Sequence, residues 1–200
     1  MGAKSQLKSC PSFPASAKQE IACTRSFGGP VRDLIELQEA VSQFASRAAV
    51  KLREQNSVGG QVLVFIRTSP FRKTPQYSRS IVVPLRRPTS DTAQIAAAAL
   101  RGLVSIFRDG YDFAKAGVMV LDISSAAFAQ QELEEEGRDP TASRAKLMNT
   151  VDQLNGRFGR DTLKLGSACA DARPRNWVMK QERETPAYTT RWQDMPVVRT

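Results

Sequence analysis

Histidine is absent from this 200-residue sequence, and cysteine occurs only three times. Without histidine there is no imidazole to act as a general base, to activate a serine or cysteine nucleophile, or to bind a metal. The cysteines lie far apart and form no C-x-x-C pair, so they indicate neither a disulfide framework nor a zinc site: Cys10, Cys23 and Cys169. This cysteine usage predicts a reducing compartment, the cytoplasm.

Long hydrophobic runs and nucleotide-binding motifs are also missing. No apolar run approaches the roughly 20 residues that a bilayer-spanning helix needs, and the first residues show no secretory h-region. The sequence contains no P-loop and no G-x-G-x-x-G run. We therefore predict no membrane association, no cofactor and no metal.

Negative charge is scarce in the first part of the chain. The sequence has a formal net charge of +9 and a pI near 9.9. Residues 1–125 hold 17 Lys and Arg against 9 Asp and Glu, a net of +8, whereas residues 126–200 hold 12 against 11, a net of +1. An excess of one sign steers association with polyanions, so the first part is expected to meet an anionic partner.

Between Glu54 and Asp91 the sequence contains no acidic residue at all. Six cations fall in this window, beside hydroxyl groups that could also bind phosphates. A solvated surface that only aids solubility is the alternative interpretation of such a run. The cations are Arg67, Arg72, Lys73, Arg79, Arg86 and Arg87.

Hydrophobic periodicity predicts an α+β domain over residues 18–124. Residues 18–27, 61–68, 80–85 and 117–123 alternate or are continuously apolar, which is typical of strands. Residues 34–52 repeat apolar side chains at helical spacing, and Ile95, Ala99, Leu103 and Ile106 do so in a second helix that Asp109 and Gly110 are expected to stop. The order is βαββαβ, which favours a four-stranded sheet with both helices on one face and the other face open. Strict alternation places Arg67 on the same side as Leu63 and Phe65.

Glycine, proline and capping residues suggest where these elements end. Gly28, Gly29 and Pro30 are expected to end the first strand, and Gly59 with Gly60 to separate the first helix from the second strand. Asp33 with Glu36 resembles a capping pair, and Ser90 or Asp91 is expected to cap the second helix.

Outside this domain we predict linkers and one further helix. Residues 1–17 form a linker, residues 125–138 an acidic linker, and residues 139–200 a small helical C-terminal domain with a tail. Asp139 is the expected cap of that helix and Pro140 its first residue, with Leu147, Val151 and Leu154 facing inward and Gly156 at its end.

The tail NWVMKQERETPAYTTRWQDMPVVRT resembles the extreme C-terminus of the UmuC family, catalytic subunits of bacterial DNA polymerase V. The family pattern is W-x-M-K-R-x-x-x-S-P-x-Y-T-T-R-W-x-D-I-P. Residues 18–124 resemble the little-finger domain of Y-family translesion DNA polymerases through CTRSFGGPV, VLVFIRTSPF, LRRPTSDT and DGYDFAKAGVMVLDIS. The tail positions that match are Trp177, Met179, Lys180, Pro186, Tyr188, Thr189, Thr190, Arg191, Trp192, Asp194 and Pro196.

The resemblance implies a DNA-holding module of a bacterial translesion polymerase in SOS mutagenesis and DNA repair. Such domains hold duplex or primer-template DNA by its backbone, whereas the palm carboxylates that bind two Mg²⁺ ions are not found in this sequence, so we predict a non-catalytic part. The matching DNA-binding positions are Thr24, Arg25, Ser26, Arg67, Thr68 and Ser69; charge alone adds Arg72, Lys73, Arg79, Arg86 and Arg87.

For the tail, the resemblance implies assembly with the processed UmuD dimer or with RecA. Aromatic and arginine side chains are favoured interface anchors, and the candidates are Trp177, Tyr188, Arg191 and Trp192. Packing of these aromatics onto the chain's own C-terminal helix is the alternative. Relatives carry a Q-L-x-L-F peptide for the sliding clamp, which Gln130 and Leu133 match. Because Glu134 replaces the phenylalanine, we predict weak clamp binding.

Two further functions compete with the first one. RNA-recognition domains share the βαββαβ order, but they present a run of stacking aromatics on a central strand, where this sequence has Phe65 alone. A regulatory protein that binds the UmuD partner without DNA would need the tail but not the basic window.

Overall fold

The computed structural model describes residues 19–126, 140–168 and 177–178, with side chains from residue 143 onward in the last helix. The order of elements confirms the predicted α+β class. The elements are β1 (Ile21–Val31), α1 (Leu34–Glu54), β2 (Ser57–Thr68), β3 (Ser78–Thr89), α2 (Thr92–Ile106), β4 (Phe113–Ser125) and α3 (Pro140–Phe158), followed by a 3₁₀ turn at Gly166–Ala168.

The four strands form one antiparallel sheet in the order β1, β4, β2, β3. Helices α1 and α2 cover one face, as the sequence predicts. In β2 the buried Val62, Val64 and Ile66 face these helices, whereas the intervening Leu63 and Phe65 are only half-buried. The second face of the sheet, which we call the open face, is not covered by α1 or α2.

The core lies between the helices and the covered face. Phe44 of α1, Leu103 of α2 and Phe113 of β4 are fully buried, together with the inward valines and isoleucine of β2. Each such side chain contributes about 1.5–3 kcal/mol by leaving water. The helical periodicity therefore identified the inward faces of α1 and α2 correctly, including Ile95 and Leu37.

Only one of the two predicted helix caps forms. Asp91 caps α2, because its carboxylate accepts hydrogen bonds from the backbone N–H groups of Ala93 (2.7 Å) and Gln94 (3.3 Å). Asp33 is the residue before α1, but its side chain makes no capping hydrogen bond. The capping hydrogen bond predicted for the Asp33 side chain therefore does not form, although the start of the helix is correct.

The glycine pairs do not end strands as predicted. β1 continues through Gly28, Gly29 and Pro30 to Val31, with a register shift between Ser26 and Val31. Likewise Gly59 and Gly60 lie inside β2, which begins at Ser57. A Cβ at Gly59 would lie 2.2 Å from Val120 Cγ1, so glycine permits a close strand approach there.

Helix α3 docks onto the domain through a different face from the predicted one. Pro140 is its first residue, as predicted, but it ends at Phe158 and not at Gly156. Met148 is 8% exposed, whereas Leu147 is 57% exposed. The prediction that Leu147 faces inward is wrong, whereas Val151 and Leu154 are half-buried. Ion pairs of Arg144 and Asp152 also attach this helix. Its cap Asp139 lies outside the described residues.

The remaining described C-terminal residues also pack on α1. The hydroxyl groups of Ser42 and Ser167 are 2.6 Å apart, and Gln43 and Arg47 donate to Asp161 at 3.2 and 3.4 Å. Trp177 is buried against Phe44 with its ring edge-on, at a centroid distance of 6.1 Å. Among the described helices, none is long and apolar enough to cross a membrane.

Candidate nucleic-acid interface

One row of side chains crosses all four strands of the open face. In the strand pairing, Ser26 lies opposite Lys115, Lys115 opposite Arg67, and Arg67 opposite Ser78. We call these four residues the basic row. With strands spaced about 4.8 Å apart, the row spans about 14 Å of the sheet. It presents two cations between two hydroxyl groups, a set of donors suited to phosphate oxygens.

Lys115 was not predicted as a site residue. It lies in β4, far along the chain from Arg67, and reaches the basic row only because β4 pairs between β1 and β2. The sequence carries a weak signal for it, since Lys115 interrupts an otherwise apolar run from Phe113 to Leu121. Placing it beside Arg67 requires the register, which a single sequence does not give.

The basic row has no ion-pair partner among the described residues. The ion pairs of the described part of the chain involve Arg32, Arg47, Arg53 and Arg144. None of them involves Arg67 or Lys115. Like charges directly opposite each other in a sheet repel. Two neighbouring cations kept without a carboxylate therefore favour an anionic ligand over a purely structural role.

Asp112, a carboxylate that interacts electrostatically with Arg72 of the β2–β3 connection, is already paired. Asp112 accepts a hydrogen bond from Arg32 Nε at 2.5 Å. That hydrogen bond, together with the charges of Arg32 and Arg72, holds the pKa of Asp112 below its ordinary value against a smaller opposing effect of desolvation. Asp112 thus stays ionised and pairs chiefly with Arg32, which leaves Arg72 free of a direct ion pair in the described part of the chain.

The β2–β3 connection extends beyond the basic row and carries Ser69, Arg72 and Lys73. Arg72 and Lys73 are exposed, as a contact with DNA requires. Thr68 is different: it is 5% exposed, and its hydroxyl donates to Gln76 Oε1 (2.8 Å) and accepts from the Tyr77 N–H (3.0 Å). Its placement supports the connection from within and does not favour a direct contact.

The other predicted DNA-binding residues are divided between the two faces. Thr24 is on the open face, where it lies opposite Gly117. Arg25 and Arg79 pair with Ala116 and Ile66, whose side chains are buried under the helices. The side chains of these two arginines therefore leave the backbone on the helix-covered side of the sheet. They belong to β1 and β3, the two outer strands. Along β3 the alternation of exposure puts the exposed Arg86 on the open face and the half-buried Arg87 on the other face.

Next to the basic row the open face is apolar. Phe65 leans over Gly117, because a Cβ at that glycine would lie 2.6 Å from the Phe65 ring and 2.5 Å from Thr24 Cγ2. In the next row Met119, Leu63 and Val82 lie side by side across β4, β2 and β3. The open face thus combines an apolar centre with the basic row at one end and Arg86 towards the other.

The predicted tail and clamp residues fall mostly outside this description. Trp177 is 3% exposed, so its side chain is not available as a surface anchor; it packs on α1 and not on the C-terminal helix. Outside the described residues lie Tyr188, Arg191, Trp192, Gln130 and Leu133. Within the described part of the chain no group of three or more Cys, Asp or Glu side chains could hold a metal ion.

Comparisons with known proteins give the following matches. Residues 18–133 match the family model of the impB/mucB/samB family C-terminal domain, and residues 145–198 match a second model described as a domain of unknown function (DUF4113). Protein ImpB of Salmonella typhimurium is 43% identical over 184 residues, which cover 92% of this chain and 42% of that protein. Protein UmuC of Salmonella typhimurium LT2 is 42% identical over 182 residues, and Protein MucB of Escherichia coli is 37% identical over 182; both alignments cover 90% of this chain.

The chain spans 42% of the length of these relatives. Among solved structures it is similar to a complex described as beta-clamp processivity factor and little finger domain of PolIV. That similarity has a TM-score of 0.39 and 14% sequence identity, and it covers 58% of this chain and 99% of the other.

Proposed function

Because the chain belongs to the impB/mucB/samB family through that family's C-terminal domain, we propose that it is a non-catalytic DNA-binding and partner-binding module of a UmuC-like translesion DNA polymerase. It grips duplex or primer-template DNA by the backbone during SOS mutagenesis and DNA repair in the bacterial cytoplasm. The family match confirms the membership that the sequence motifs predicted. The match to the C-terminal part of the family and the cations of the open face support the proposed role of holding DNA.

The basic row is the observation that carries the DNA half of the proposal. Arg67 and Lys115 are adjacent on the sheet, and no described carboxylate forms an ion pair with them. Arg72 and Lys73 continue the positive charge onto the β2–β3 connection. Binding through such cations releases counterions from DNA, so the affinity falls as salt rises and depends little on base sequence.

The open face does not favour the RNA-recognition alternative. Among the described strands, Phe65 is the one aromatic side chain on that face, and its ring leans over Gly117 rather than standing free. RNA-recognition domains stack two or three bases on such aromatics. A grip on the sugar-phosphate backbone suits this surface better.

Fluorescence anisotropy of the whole chain with a labelled duplex, across a salt series, tests the DNA half. We expect binding that weakens steeply with salt, and an Arg67→Glu, Arg72→Glu variant that binds more weakly with a salt slope reduced by about 2, one for each lost phosphate contact. The matched control is Arg101→Glu with Lys146→Glu, which makes the same charge change at exposed positions of α2 and α3. Equal losses of DNA affinity in the two variants would show that only the net charge matters. Absence of binding at low salt would refute the DNA half of the proposal.

A stripe on α3 supports the partner half. Leu147, Val151, Leu154 and Phe158 follow one another at three- and four-residue spacing, with Leu147 and Phe158 57% and 63% exposed. This helix attaches to the domain through Met148 and its ion pairs, on a neighbouring face. Val151 and Leu154 in the middle of the stripe are half-buried, whereas its two ends, Leu147 and Phe158, are exposed. Apolar stripes of this kind are typical of helices that bind protein partners.

By the resemblance of the tail, the proposed partner is the processed UmuD dimer. Analytical ultracentrifugation of the chain with that dimer tests the assignment: we expect a complex that Leu147→Ser with Phe158→Ser weakens by at least about tenfold. The control variant is Ile35→Ser with Val104→Ser, which removes two exposed apolar side chains from α1 and α2. If RecA filaments bind while the UmuD dimer does not, the assignment to UmuD is wrong.

A further inference from the structure

An aromatic side chain stands almost fully exposed at the tip of the β2–β3 connection. Phe71 is 95% exposed, the largest exposure among the described large hydrophobic side chains. It is followed directly by Arg72 and Lys73. Single exposed apolar residues are common on protein surfaces, so the exposure alone indicates no function.

The backbone that carries Phe71 is held in place. The Arg72 N–H donates to Ser69 O at 3.3 Å, which closes a turn with Pro70 and Phe71 at its centre. The Gln76 side-chain amide donates to Arg72 O (2.9 Å) and Thr74 O (3.0 Å), and its carbonyl accepts from Thr68. The backbone at Phe71 is therefore held by hydrogen bonds at the tip of the connection.

The base of the connection is anchored in the domain. The Tyr77 hydroxyl donates to Ile106 O at 2.6 Å, and the Tyr77 ring packs against Tyr111 and Phe113 at centroid distances of 4.7 and 6.0 Å. Because Tyr77 is held in this way, the backbone of the β2–β3 connection keeps its orientation relative to the sheet. Ordering a ligand against Phe71 then costs little conformational entropy of the protein.

The surroundings of Phe71 restrict the chemistry of its ligand. Arg72 and Lys73 adjoin it in sequence, the basic row lies at the base of the connection, and residues 55–90 contain no carboxylate. The ligand should therefore combine negative charge with an apolar planar surface. Single-stranded nucleic acid has both, because its unpaired bases expose their faces to aromatic side chains while its phosphates bind cations.

We propose that Phe71 stacks on an unpaired base of a single-stranded segment adjoining the duplex, while Arg72 and Lys73 bind the phosphates of that segment. This inference rests on the proposed DNA-holding function, and it adds a site for the junction between duplex and single strand. Paired bases inside a duplex do not expose their faces, so Phe71 distinguishes a junction from a continuous duplex.

The experiment compares two labelled probes on the whole chain by anisotropy: a blunt duplex, and the same duplex with a single-stranded template overhang. The overhang carries 2-aminopurine next to the junction as a fluorescent reporter of stacking. We expect the wild type to prefer the overhang and Phe71→Ala to lose about fivefold or more of that affinity, with the blunt duplex affinity and the salt slope unchanged. Phe71→Trp should retain the preference, and Phe71→Leu, which keeps apolar bulk without an aromatic face, should not.

The outcomes separate this inference from the proposed function. Equal affinity of wild type and Phe71→Ala for the overhang overturns the inference, as does an equal loss for both probes. Failure of all forms to bind the blunt duplex, with a Phe71-dependent overhang signal retained, overturns the duplex grip and supports the stacking site. Self-association without DNA that Phe71→Ala abolishes would overturn the inference by assigning the tip to a second copy. Circular dichroism checks that each variant is folded.

Discussion

Arg53 of α1 and Asp152 of α3 form a two-point ion pair, with Nε to Oδ2 at 2.6 Å and Nη2 to Oδ1 at 2.8 Å. The Arg53 side chain is only 11% exposed, and its remaining nitrogen donates to Ser90 O and Thr92 Oγ1. One guanidinium thus links α1, the start of α2 and α3. A planar fork with five donors can satisfy three such elements at once, which a lysine could not.

Removing this ion pair should weaken the attachment of α3. We expect Asp152→Asn to lower the free energy of unfolding by about 1.5–3 kcal/mol, because charge-assisted hydrogen bonds are lost. Arg53→Met should cost about 3–5 kcal/mol, since Asp152 and the Ser90 carbonyl both lose a donor. Urea unfolding followed by circular dichroism measures both. Arg47→Met is the control: its pair with Asp161 is longer and more exposed, so a loss of about 1 kcal/mol or less is expected.

Trp177 should act as an internal anchor of the C-terminal segment. Its ring is buried against Phe44, and its Nε1 donates to Glu39 at 3.4 Å. Trp177→Ala is therefore expected to lower the free energy of unfolding by about 3–5 kcal/mol. The neighbouring Val178 is 43% exposed, and Val178→Ala should change stability by about 0.5 kcal/mol or less. A Trp177→Ala variant as stable as the wild type would show that the packing on α1 is energetically unimportant.

Gly117 should tolerate no side chain on the open face. A Cβ there would lie within 2.7 Å of the Phe65 ring and of Thr24, so we expect Gly117→Ala to cost about 1–3 kcal/mol by overpacking. Phe65→Leu in the same chain should recover part of that loss. Thermal unfolding measures the effect. Gly156→Ala is the control, since that helical glycine has open space and alanine should stabilise α3 by about 0.5–1 kcal/mol.

Cys23 should make stability fall at alkaline pH. Burial raises the pKa of its thiol, opposed by the weaker effects of Lys51, Arg47 and Arg25. A raised pKa in the folded state means that the stabilisation is fully present below the unfolded thiol pKa of about 8.5 and is lost as pH rises through the folded value. Urea unfolding under reducing conditions should show the wild type losing stability above about pH 8.5 more steeply than Cys23→Ala. Parallel curves for the two proteins would contradict the burial of the thiol.

The sequence predicted those helices and strands that depend on patterns of residues close together in the chain. Helical spacing of apolar residues predicted α1 and α2, although α2 ends at Ile106 and not at Asp109, and the alternation in β2 put Arg67 on the same side as Leu63 and Phe65. Ser90 or Asp91 was predicted as the cap of α2, because short polar side chains before a helix accept hydrogen bonds from its first N–H groups; the structure shows that Asp91 is the cap. The glycine pairs misled, since glycine permits both a turn and a close strand approach, and only the neighbouring strand decides between them.

The candidate site was predicted in part. The absence of acidic residues between Glu54 and Asp91 marked Arg67, Arg72 and Lys73, which the structure places on the open face and its connection. The same charge pattern could not separate them from Arg79, which begins on the other side of the sheet. It also missed Lys115 and Phe71, because strand register and exposure are properties of the assembled fold.

What the sequence determined by itself is the class of fold, the inward faces of α1 and α2, the excess of positive charge in the first part and the family, because each follows from spacing, composition or motif along the chain. The tertiary structure alone decided that Lys115 lies beside Arg67, that Trp177 is inside the core, and that α3 attaches through Asp152 and not through Leu147. These relationships join residues far apart in the chain. Their free energy depends on which surfaces meet when the strands and helices pack, and no local pattern of residues carries that information.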